Sequence, residues 1–76
     1  MPKMILEKRP GYWSVWFYGV DRMPEDVELP LPYSEKAPLE MVVAHMRKRF
    51  PNVAIWYRDV AAMSTNLYET ETEPAR

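Results

Sequence analysis

The chain has 76 residues, 47% of them hydrophobic, and carries ten Lys and Arg against eleven Asp and Glu for a net charge of −1. That length holds one domain with a small core, the apolar share excludes wholesale disorder, and near-neutrality excludes a global field for nucleic acid or an acidic membrane. The absence of cysteine removes disulfides, thiolate nucleophiles and the usual zinc sites, and fits a reducing compartment.

No charged segment followed by a long apolar run opens the chain, and no 18-residue apolar stretch occurs in it. The expectation is a cytoplasmic protein without membrane contact. Lys3 to Lys8 reads as a first strand, and Pro10-Gly11 supplies Pro and Gly in the order a type II turn uses. With those two residues as the loop of a hairpin, Lys8 faces Trp13, Leu6 faces Val15, Met4 faces Phe17, Ile5 faces Trp16 and Lys3 faces Tyr18.

Tyr12 to Val20 holds five of the ten aromatic residues and is bounded by Pro10-Gly11 and Asp21, which suits a central strand. Its odd positions, Trp13, Val15 and Phe17, carry no hydroxyl. Its even positions, Tyr12, Ser14, Trp16 and Tyr18, mostly end in a polar tip. The odd set is therefore expected to face the core together with Met4 and Leu6. The even set, with Ile5, forms an outward aromatic patch larger than a solvated face requires.

Gly19 to Pro24 is expected to turn. Val27, Leu29 and Leu31 then alternate with Glu28, Pro30 and Pro32, and the two prolines confine this segment to a sheet edge. Pro38 to Phe50 has Leu39, Val42, Val43, Met46 and Phe50 at helical spacing. Pro38 suits the first helical position, and Arg47, Lys48 and Arg49 sit where the macrodipole favours cations. Satisfying the helix end is the bland reading of these three charges, phosphate contact the sharper one. Val53 to Arg58 is a further strand, with Val53, Ile55 and Tyr57 inward and Trp56 and Arg58 outward. After Met63 the sequence turns polar and loses its periodicity.

The expected architecture is α+β: a small ββ(β)αβ unit, mainly antiparallel, with one helix on one face and strand order 4-1-2-3. Residues 1–63 form the domain, and 64–76 a polar, flexible tail. Met63 and Leu67 could alternatively fold back over the aromatic patch.

No catalytic set accompanies this fold. His45 is the only histidine and falls on the helix flank beside Met41 and Arg49, without a nucleophile or titratable partner at helical spacing. Asp21, Glu25, Asp26 and Glu28 lack the alternation and central Gly of a calcium loop, and neither glycine begins a helix to cradle phosphate. An enzyme, a metal and a cofactor are all unexpected.

The expected partner site is Ile5, Tyr12, Trp16, Tyr18, Trp56 and Arg58, a composition typical of interface hot spots. The second choice is the helix side, Met41, His45, Arg47, Lys48 and Arg49. The expected function is a protein-binding inhibitor or adaptor, with the general look of accessory proteins that phages and mobile elements encode. The same face could instead bind single-stranded nucleic acid or RNA, although no RRM-type signature is present, or be consumed in a homodimer.

Overall fold

The structure is a computed structural model that describes residues 1–69. Five strands and one helix make an α+β fold: β1 (Lys3–Arg9), β2 (Tyr12–Tyr18), β3 (Leu29–Ser34), α1 (Leu39–Arg49), β4 (Ala54–Asp59) and β5 (Ser64–Glu69). They form one mixed sheet in the order β3-β2-β1-β4-β5. Pairing is antiparallel except between β1 and β4, which run parallel. No helix among the described residues is long and apolar enough to cross a membrane.

The hairpin follows from Pro10-Gly11. Gly11 takes φ +92°, a value open to glycine without steric cost, and the turn sets Lys8 opposite Trp13, Leu6 opposite Val15 and Met4 opposite Phe17. One slip in that register would exchange the two faces. In this register Met4, Leu6, Trp13, Val15, Phe17, Val53 and Ile55 are buried against Val42, Val43 and Met46 of α1, with Leu39 and Phe50 packed at the margin. Phe17 and Phe50 pack with ring centroids 5.0 Å apart and ring planes tilted by 54°. The indole N–H of Trp13 donates to the Ala37 carbonyl at 3.1 Å, so this buried ring leaves no polar atom unsatisfied.

Two element starts differ from the sequence reading. β3 starts at Leu29, and Val27 before it is exposed. Pro38 is the N-cap, one residue before the helix, with extended backbone and no side-chain cap. Its carbonyl accepts from Met41 N and Val42 N. Ser34 closes the preceding turn, its hydroxyl accepting from Lys36 N and its carbonyl from Ala37 N.

The largest correction concerns the stretch after Met63. Ser64–Glu69, expected to belong to a flexible tail, pairs antiparallel with β4 and forms the far edge of the sheet. Its side chains from Ser64 to Tyr68 are all exposed. Backbone pairing, which requires no apolar periodicity, is what adds this strand. Leu67 lies level with Trp56 at the edge of the sheet, not across the aromatic face. The remaining part of the expected tail, 70–76, lies outside the described residues.

Candidate functional site

The face opposite α1 carries no covering element among the described residues, and strand register arranges its side chains in rows. One row crosses four strands as Trp16, Ile5, Trp56 and Leu67. The next crosses five as Pro30, Ser14, Glu7, Arg58 and Thr65. On the other side of the aromatic row, Lys3 lies level with Tyr18.

Glu7 is the centre of the polar row. It is 3% exposed although it sits on the uncovered face, because long neighbouring side chains lie across it. Its Oε1 accepts from Arg9 Nη1 at 2.8 Å, Trp16 Nε1 at 3.0 Å and the Ser14 hydroxyl at 3.4 Å; its Oε2 accepts from Arg58 Nη1 at 3.2 Å. Burial alone pushes this carboxyl up, but the hydrogen bonds from Trp16, Arg9 and Arg58 with the Arg9 charge outweigh it. The net result is a pKa below the ordinary value. The Glu7 hydrogen bond and the charges of Glu28 and Glu7, against partial desolvation, hold the Arg9 guanidinium above its own ordinary value.

The network extends to both sides. Arg9 Nε also pairs with Glu28 Oε2 at 3.0 Å, and the same oxygen accepts the Tyr12 hydroxyl at 3.0 Å. Arg58 Nε donates to Thr65 Oγ1 at 2.9 Å, which ties β5 into the face. Beyond the aromatic row, Lys3 Nζ sits 5.4 Å from the centre of the Tyr18 ring and 5.6 Å from that of Trp56, a cation shared between two rings. Burial and the nearby Asp26 carboxylate raise the Tyr18 phenol above its usual value.

Of the residues expected to bind a partner, Tyr12, Trp16, Tyr18, Trp56 and Arg58 therefore share one face and are partly exposed. Ile5 shares it but is only 6% exposed, flanked by Trp16 and Trp56, so it supports the surface without forming it. Lys3, Glu7, Arg9, Glu28 and Thr65 were missed as members, and Ser14, placed on this face by its even position, was not counted in the site. The signal was available in part: the hairpin register sets Glu7 opposite Ser14 and Lys3 opposite Tyr18. Arg58 joins only through the parallel pairing with β4.

The helix side is less unified. Arg47 Nη1 donates to the carbonyls of Phe50, Pro51 and Val53 at 3.3, 2.9 and 2.7 Å, closing the helix end as the bland reading held. His45, placed by its spacing on the helix flank, is half-buried and meets Tyr33 edge-on at 5.4 Å. Met41, Lys48 and Arg49 are exposed. A cleft of about 140 Å³ between α1, β2 and β3 is lined by Val15, Phe17, Met23, Leu29, Leu31, Met46 and Phe50, with Arg49 its one charged member.

Among the described residues no cluster of three or more His, Asp or Glu side chains could hold a metal ion. In the acidic loop, Glu25 accepts from Gly19 N at 2.8 Å and Glu28 is tied to Arg9. Compared with known proteins, the chain matches no family model, no curated protein and no solved structure.

Proposed function

We propose that this protein is a protein-binding module that acts as an inhibitor or adaptor, occupying a partner surface with the aromatic face of its sheet. The observation that carries this reading is the fixing of its aromatic groups before any partner arrives. Trp16 is held by Glu7, and Tyr18 and Trp56 by Lys3. Rings already held in place lose little conformational freedom on binding, and Trp, Tyr and Arg near the centre of a patch are the usual hot spots.

The charge pattern favours a protein over single-stranded nucleic acid. Arg9 and Arg58 are matched by Glu7 and Glu28 within the face, so a phosphate would have to compete with carboxylates already in place. Stacking groups remain available to bases, and the experiment must separate the two.

The test uses the tagged full chain to capture its partner from its native extract, followed by affinity measurement with the purified partner. Trp16→Ala and Trp56→Ala should each weaken binding by about 2 kcal/mol or more, roughly thirtyfold, whereas Met41→Ala should leave it unchanged. Affinity should vary little with salt. A steep loss of affinity with salt, reduced in slope by Arg58→Ala, would replace the reading with nucleic-acid binding.

A further inference from the structure

The two edges of the sheet are built differently. β3 carries Pro30 and Pro32, neither of which can donate a backbone N–H, so that edge cannot extend a regular ladder. β5 carries no proline, and its residues Ser64 to Tyr68 carry no charge. Nothing among the described residues pairs with its outer side. Natural sheets usually guard such an edge with a lysine, a proline or a bulge. The one irregularity in its pairing with β4 lies in β5 itself, where Tyr68 is the extra residue between Leu67, level with Trp56, and Glu69, level with Ile55; it leaves Ser64 to Leu67 in regular pairing.

We infer that β5 is a self-pairing edge that joins two copies of this chain into one continuous ten-stranded sheet. The occupant follows from the asymmetry. A head-to-tail arrangement would have to add β5 of one copy to β3 of the next, and the prolines prevent it. The remaining arrangement sets β5 against β5, antiparallel across a twofold axis, and closes at two copies without growing into a fibre. The one charge of β5, Glu69, lies at its end, so an antiparallel pairing centred on Ser64 to Tyr68 sets it away from its own copy and places no like charges opposite one another. Leu67 ends the row of Trp16, Ile5 and Trp56, so a twofold that sets Leu67 opposite its own copy brings the aromatic rows of both copies end to end. This inference does not rest on the partner-binding reading, because it concerns the protein alone.

A six-residue edge is about 20 Å long, and its interface falls below the size of stable complexes, so the dissociation constant should be on the order of tens of micromolar. Sedimentation velocity on the full chain from about 5 to about 500 μM should show the mass doubling from 9.0 kDa and rising no further. Hydrogen exchange at the two ends of that range should show protection gained across 64–69. Leu67→Lys should weaken self-association at least about tenfold at low salt, with partial recovery as salt is added. Asn66→Lys, in regular pairing level with Tyr57 and on the opposite face of the strand from Leu67, is a second guard, and unchanged near-ultraviolet dichroism confirms that either variant is folded. Trp16→Ala, three strands away, should dimerise as the parent does. A monomer throughout the range, species larger than a dimer, or a dimer abolished by Trp16→Ala and indifferent to both lysines would each overturn the inference.

Discussion

The indole N–H of Trp16 donates to Oε1 of Glu7 at 3.0 Å, although the residue directly across the hairpin from Glu7 is Ser14. The indole reaches diagonally along the sheet, within the span that long side chains bridge between strands. One buried carboxylate thereby sets the position of an aromatic ring on the face proposed to bind.

Removing that carboxylate should loosen the face before it unfolds the protein. Glu7→Ala leaves the Ser14 hydroxyl, the Trp16 N–H and two guanidinium groups without their shared acceptor. Sealed ion pairs broken on one side cost about 3 to 5 kcal/mol. Here the side chains of Arg9 and Arg58 are 34% and 33% exposed and can be hydrated, so about 1 to 3 kcal/mol is expected. Calorimetry measures the loss, and an unchanged melting temperature would mean that the network contributes nothing.

Acid should act through the same residue. The folded-state pKa of Glu7 lies below its unfolded value, so its stabilisation is present above the unfolded value and is lost as pH falls through the folded one. Parent and Glu7→Gln should therefore differ most near neutrality, and the gap should begin to close only as pH falls below the ordinary carboxyl value of about 4.3. Chemical denaturation of both proteins across that range is the measurement, and a gap that widens in acid would contradict the sign.

The two sides of β2 should respond differently to truncation. Phe17 is buried against Phe50 and the helix, and Phe17→Ala should cost about 3 to 5 kcal/mol, a large share of the stability of so small a domain. Trp16→Ala removes a half-exposed ring and one donor to Glu7, and should cost distinctly less. Equal losses in thermal melts would mean that the outer face is as much a core as the inner one.

Most of this division was legible in the chain. The parity of Tyr12 to Tyr18 separated the faces because strand side chains alternate, and Pro10-Gly11 fixed the register because its turn has two residues. Pro30 and Pro32 marked an edge for a reason internal to their own chemistry. β5 was illegible because an exposed edge strand needs no apolar pattern, and Ser-Thr-Asn-Leu-Tyr-Glu reads as a tail. The Glu7 network was mostly legible: its hairpin members follow from register and Arg58 from the expected place of its strand beside the first, whereas Thr65 lies on the strand read as tail.

That difference gives β5 a testable energetic weight. Ending the chain after Met63 removes a strand whose side chains bury little, along with the Thr65 partner of Arg58. The fold should survive with a loss of about 1 kcal/mol, or about 4 to 8 °C in melting temperature. A truncated chain that fails to fold would make this edge a structural necessity.

The parallel pairing of β1 with β4 has a kinetic consequence. β1 meets β2 through a two-residue turn, but its other neighbour arrives about fifty residues later, with Lys3 level with Ala54. The hairpin can close in microseconds, while docking of β4 must await ordering of the intervening helix and loops. Until then the strand at the middle of the finished sheet is an edge, displaying Met4, Ile5 and Leu6 beside unpaired backbone. Chains interrupted before Asp59 should consequently aggregate through their amino-terminal hairpin, and the slowest folding phase should be governed by substitutions in β4.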